Sequence, residues 1–118
     1  ALNSALETVK SNPDSAELHN NLANAYFNQG VYDKAIEEYN VALKLDKKFS
    51  TAYYNLGVCY LNVQDYKKAE ENFNIAVSLD PSNVDTYMNL GLAFYKQSKF
   101  EDSESCYRKV LASRLRIC

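Results

Sequence analysis

The chain has 118 residues, 47% of them apolar and 24% charged, with two prolines, three glycines and a formal net charge of −2. This marks a soluble, mostly helical chain of one domain and gives no electrostatic ground for nucleic acid or an anionic membrane as a partner. No apolar run approaches the roughly 20 residues of a membrane span, and nothing at the N-terminus resembles a signal peptide.

In chain order, Ala1, Leu2, Ala5, Leu6 and Val9 have helical apolar spacing, and Asn12-Pro13-Asp14-Ser15 then makes a turn. Two helical stretches follow, 16–29 and 32–45, broken at Gly30, which suits a left-handed C-terminal cap. The pattern returns at 50–63 and 66–79, where Pro81 stops the helix because the residue before a proline is pushed out of helical geometry. It returns again at 84–97 and 100–113. Ser15, Ser50 and Asn83 stand where a side-chain oxygen caps the first helix of each pair.

These stretches are copies of one unit. Leu22-Ala23, Leu56-Gly57 and Leu90-Gly91 recur every 34 residues, as do Tyr26, Tyr60 and Phe94. Pro13 and Pro81 lie two periods apart, and Val9 is in step with Leu43. The reading is a single array over 1–118, with 1–15 the second helix of a truncated repeat and full repeats at 16–49, 50–83 and 84–118. The chain opens in mid-repeat and reads as a piece of a longer protein. Ala23, Gly57 and Gly91 on the first helix (A) of each pair should meet Ala35, Ala69 and Ser103 on the second (B). Tyr39, Phe73 and Tyr107, with Tyr26, Tyr60 and Phe94, should fill the space between pairs.

Little in the sequence suggests catalysis. Cys59, Cys106 and Cys118 are an odd number without C-x-x-C pairing, which speaks against a disulfide framework or a zinc site and favours a reducing, cytoplasmic location. The one histidine, His19, falls in a large-aromatic column and reads as packing; Glu37-Glu38 and Glu70-Glu71 read as a solvated outer face. No phosphate loop or metal-ligand spacing occurs, so neither cofactor nor metal is expected.

The columns resemble those of the tetratricopeptide repeat (TPR) family. The second repeat carries nearly the whole pattern, with Tyr53 for the usual tryptophan, then Leu56-Gly57, Tyr60, Ala69, Phe73, Ala76 and Pro81. The first has His19 for the large aromatic and Lys47 for the proline; the third has Ser103, Val110 and Leu115 at variant places, so that its B helix is expected to pack loosely or run on. The resemblance implies an all-α, right-handed solenoid of seven helices whose A helices line a concave wall.

On the free face of those A helices, Asn21, Asn55 and Asn89 stand in strict register. Asn is a weak helix former, and an amide can both donate and accept, which suits it to holding the main chain of an extended peptide. The other reading of the ladder is a bond across to the next helix. Asn24 and Asn28 lie beside it in repeat 1, Tyr54, Val58 and Asn62 in repeat 2, and Met88, Leu92 and Tyr95 in repeat 3. Phe27 and Leu61 extend the apolar part of this face.

The ladder is similar to that of the O-linked N-acetylglucosamine transferase repeats. It departs from the chaperone-binding subgroup, which grips a C-terminal carboxylate with Lys and Arg. Asn20 and Asp85 stand at places where that clamp has Lys, and Asn89 where it has a cation, although Asn24 and Asn55 match its amides. The function expected is a scaffold binding a peptide or protein segment in the groove. The alternatives are a self-assembling homo-oligomer that uses exposed terminal helices, and the non-catalytic, substrate-recruiting arm of a larger enzyme such as that transferase.

Overall fold

A computed structural model describes residues 2–117, with side-chain surroundings as far as Ser113. Ala1 and Cys118 lie outside the described residues, as do the side chains of Leu115 and Ile117. The described chain is all helix: α1 Leu2–Ser11, α2 Ala16–Asn28, α3 Tyr32–Leu45, α4 Ser50–Asn62, α5 Tyr66–Leu79, α6 Val84–Lys96 and α7 Phe100–Ile117. None of these is long and apolar enough to cross a membrane.

Each helix packs on its sequence neighbours, giving the stacked pairs α2–α3, α4–α5 and α6–α7 with α1 laid against α2. The result is an all-α solenoid measuring 45 × 30 × 23 Å. Two core clusters run through it. Ala23, Ala35, Tyr39 and Leu43 meet Ala52, Leu56 and Cys59 in one, and Ala69 and Phe73 meet Leu90, Ala93 and Cys106 in the other. Each core joins one pair to the next, so no pair buries its apolar face alone.

Small residues set the crossing distance within pairs. A Cβ added at Gly57 would lie 2.6 Å from Phe73 Cε1, and one at Gly91 would lie 3.0 Å from Tyr107 Cζ. The Ser103 hydroxyl uses the same closeness to donate to the Gly91 carbonyl at 2.8 Å. Burial pushes the Cys59 thiol up to about 12, as expected of a cysteine serving as a small apolar residue.

The link from A to B repeats a left-handed residue, at Gly30 (φ 78°), Gln64 (φ 65°) and Ser98 (φ 63°). Only the first has the glycine this conformation favours. Ser15 and Asn83 cap α2 and α6, accepting from the Leu18 and Asp85 amides. Ser50 does not cap α4. It lies inside the first turn and donates to the Ala76 carbonyl of α5 at 3.3 Å, while Phe49 takes the cap position without a side-chain bond.

Two carboxylates assigned to the outer face are inside the packing instead. Glu38 accepts from His19 Nδ1 at 2.7 Å, and Glu70 accepts from Lys99 at 2.9 Å and from Gln97. Glu37 and Glu71 are exposed, as the outer-face reading had them. The expectation for the aromatic columns holds for Tyr39 and Phe73, which are fully buried. Tyr26, Tyr60 and Phe94 are only half covered, each with a lysine ammonium over its ring (Lys34, Lys68 and Lys99). Tyr107 is 38% exposed. The third B helix runs on: α7 has 18 residues where α3 and α5 have 14.

Candidate peptide-binding groove

The A helices approach one another closely, α2 to α4 and α4 to α6, whereas among the described residues no α carbons of α3 and α5, or of α5 and α7, come within 8 Å. B helices splayed apart around closely spaced A helices bend the array, with α2, α4 and α6 on the inner wall. Residues on the free face of those three helices therefore look into one groove.

The ladder amides have unequal surroundings there. Asn55 Nδ2 donates to Asn20 Oδ1 at 3.2 Å, and Asn89 Nδ2 donates to the Tyr54 hydroxyl at 3.0 Å. Residues 20 and 54 are themselves one period apart, so this is one bond made twice, from each A helix to the A helix before it. Asn21 is exposed and makes no side-chain bond among the described residues. The carbonyl oxygens of Asn55 and Asn89 carry no bond within the described residues, so both amides keep an acceptor for the groove.

Between α2 and α4 the wall opens into a cavity of about 330 Å³ lined by Asn24, Phe27, Asn28, Tyr39, Tyr54, Asn55 and Val58. Asn24 Oδ1 accepts from the Tyr39 hydroxyl, which fixes the rotamer of that amide at the cavity wall. The Tyr54 ring leans on Phe73 with centroids 5.9 Å apart. Burial holds the Tyr54 phenol above its usual range, the Asp85 carboxylate adds to this, and the Asn89 bond opposes it. The phenol thus stays neutral and able to donate.

Six of the residues singled out from sequence meet at this cavity: Asn24, Phe27, Asn28, Tyr54, Asn55 and Val58. Asn21, Asn62, Asn89, Met88, Leu92 and Tyr95 are not in its lining. Asn62 donates to the Val58 carbonyl of its own helix at 2.8 Å. Met88, Leu92 and Tyr95 are exposed along α6, whereas Val58 and Leu61 partly pack beneath neighbouring helices. Sequence reasoning missed Tyr39, a B-helix residue placed in the core. The signal was a tyrosine where the next repeat has Phe73, since a buried hydroxyl needs a partner and finds it at the groove wall.

Family models described as tetratricopeptide repeat match residues 4–37, 50–83 and 84–118, and one described as TPR repeat matches 24–64. The chain belongs to the tetratricopeptide repeat proteins, a class whose repeats are interaction modules. Comparison with curated proteins gives no match. Among solved structures, the chain is similar to MamA, with 25% identity and a TM-score of 0.92 over 98% of this chain and 67% of that one. It thus spans about two thirds of that chain, and 63% of MamA in a second structure. It is also similar to the first TPR of Spaghetti (RPAP3) bound to the HSP90 peptide SRMEEVD, at 29% identity and a TM-score of 0.82 over 84% of this chain and 79% of that one. The second TPR of the same protein, bound to the same peptide, gives 26% identity and a TM-score of 0.82 over 89% and 97%.

Proposed function

We propose that this array is a scaffold whose inner wall binds an extended segment of a partner protein. The observation that carries this reading is the cavity between α2 and α4, where three amides and four apolar or aromatic side chains converge, all but Tyr39 from the A helices. An opening of this size and mixed polarity accepts a side chain of the bound segment while neighbouring amides engage its main chain. Asn21, Asn55 and Asn89 provide those amides along the groove, with Asn24, Asn28 and Asn62 beside them. Tyr54, Val58, Met88, Leu92 and Tyr95 provide apolar contact.

The groove does not favour an acidic C-terminus like that of the peptide held by the Spaghetti domains. Asn20 is buried and bonded to Asn55, and Asp85 is anionic, at two places where a carboxylate-holding relative would present Lys. A carboxylate brought here would lose water without gaining a cation. The expected ligand is an internal segment with its own apolar side chains.

The test is capture of partners from lysate by the wild type, by an Asn21→Ala, Asn55→Ala, Asn89→Ala triple variant and by Asn28→Arg, followed by affinity measurement on the partner recovered. Each net amide bond contributes about 0.5–1.5 kcal/mol, so the triple variant should lose at least about tenfold in affinity. Asn28→Arg places a bulky cation at the cavity mouth and should lose affinity while folding normally, because Asn28 is exposed. Partners that bind both folded variants as tightly as the wild type would remove the groove from the account.

A further inference from the structure

No charged residue lines the cavity between α2 and α4. Inside its exposed mouth at Asn28, the polar groups are two half-buried amides, Asn24 and Asn55, and the hydroxyls of Tyr39 and Tyr54. The bonds these groups already make decide what they can offer an occupant.

Tyr39 is fully buried, and among the described residues its hydroxyl proton has no acceptor other than Asn24 Oδ1. With its carbonyl so engaged, Asn24 offers the cavity its Nδ2, which makes no bond among the described residues. Asn55 is committed the opposite way. Its Nδ2 donates to Oδ1 of the buried Asn20 at 3.2 Å, so the group it offers is Oδ1. Neither amide can flip without breaking its bond to Tyr39 or Asn20. The Tyr54 hydroxyl accepts from Asn89 Nδ2 and keeps its own proton to donate.

Fixed donors and a fixed acceptor in a space without charge discriminate among occupants. A carboxylate would find the donors, but it would also meet Asn55 Oδ1 and the field of Asp85, which already acts on the Tyr54 phenol, with no cation to offset its burial. An ammonium or guanidinium would satisfy Asn55 Oδ1 and leave the N–H groups of Asn24 unpaired. An aliphatic end would take water from all of them and return nothing. A carboxamide matches both amides: its oxygen accepts from Asn24 Nδ2 and its NH₂ donates to Asn55 Oδ1. The methylenes of a glutamine have Phe27 and Val58 to lie on, which ranks glutamine ahead of asparagine.

We propose that this cavity selects a neutral carboxamide side chain, glutamine first, on the bound segment. The proposal rests on the groove being the binding surface and adds the identity of one ligand residue. The second lone pair of the Asn55 oxygen remains for the main chain of the segment. One period on, Val58 and Phe73 stand where the first repeat has Asn24 and Tyr39, so the α4–α6 step lacks the donor and selection falls on a single position.

Peptides selected against the chain from a random library test it. Glutamine should be enriched at one position, and replacing it in the synthetic consensus peptide by glutamate, lysine or methionine should weaken binding at least about tenfold each. Asn24→Asp is nearly isosteric: one carboxylate oxygen keeps the Tyr39 bond while the other puts an acceptor where Nδ2 was. This variant should prefer the lysine peptide to the glutamine peptide. Circular dichroism verifies its fold; if it does not fold, Tyr39→Phe, which gives the first repeat the ring the second already has, frees Asn24 to rotate and should abolish the preference for glutamine over lysine. A library that yields no binder, or binders whose affinity survives Asn28→Arg, overturns the groove and this site with it. Binders that Asn28→Arg displaces but that show no carboxamide preference, or a preference that neither folded variant changes, overturn the carboxamide site alone.

Discussion

Asn89 donates its side-chain amide to the Tyr54 hydroxyl across the α4–α6 seam at 3.0 Å, and Asn55 makes the corresponding bond to Asn20 at 3.2 Å. The ladder thus ties each A helix to the one before it. A net bond of about 0.5–1.5 kcal/mol exceeds or roughly equals the helix propensity lost by having Asn rather than Ala. Asn55→Ala and Asn89→Ala should therefore destabilise by up to about 1 kcal/mol, whereas Asn21→Ala, at an exposed site, should stabilise by a few tenths of that. Urea unfolding of the three single variants checks this, and equal effects at all three would contradict it.

Stability should depend on His19 protonation. Its Nδ1 faces a Glu38 carboxylate oxygen and its Nε2 the Pro13 carbonyl, both at 2.7 Å. Two acceptors need two donors, and only the imidazolium has both. Burial pulls the imidazole pKa down, but the Glu38 bond, the Pro13 bond and the charges of Glu38 and Asp14 outweigh it, leaving the pKa above 6.5. A group raised on folding contributes fully below its unfolded value, and that contribution is lost as pH rises through the folded value. Unfolding free energy measured in urea at successive pH values should exceed that of Glu38→Gln most at or below pH 6.5, with the gap closing on the alkaline side. A gap that widens as pH rises would contradict the assignment.

The left-handed link gives a third prediction. Gln64 and Ser98 take the conformation that Gly30 takes without strain, and neither side chain makes a bond among the described residues. Left-handed strain of about 1–2 kcal/mol in an L-residue, less the greater unfolded freedom of glycine, leaves a net gain of about 0.5–1 kcal/mol. Gln64→Gly and Ser98→Gly should each raise the melting temperature, and Gly30→Ala should lower it even though nothing lies within 4 Å of its added Cβ.

Glycines at the helix crossings should differ from each other. Phe73, against Gly57, is fully buried and cannot swing away, so Gly57→Ala should cost about 1–3 kcal/mol by overpacking. Tyr107, against Gly91, is 38% exposed and has room to rotate. Gly91→Ala should be nearly neutral, because the helix propensity gained, about 1 kcal/mol, offsets a small displacement. Thermal melts of the two variants read the difference.

The fold was legible because the period multiplies weak local signals: one Leu-Gly pair says little, but three in step with three aromatics define helix pairs. What escaped depends on partners far along the chain. Ser50 reads locally as a cap, yet its hydroxyl turns to Ala76 on α5. Glu38 reads as solvated, yet His19 lies beside it. The candidate groove was legible as a face, since its amides share a register. The cavity within it was not, because Tyr39 reaches the wall from another helix and anchors Asn24 there.

The most direct test of the groove is chemical-shift mapping on the ¹⁵N-labelled protein with a peptide selected against it from a random library. The account predicts shifts concentrated on α2, α4 and α6, centred on Asn28, Tyr54 and Val58, and abolished by Asn28→Arg. Shifts confined to exposed B-helix positions such as Glu37 and Glu71, or unchanged by Asn28→Arg, would contradict it.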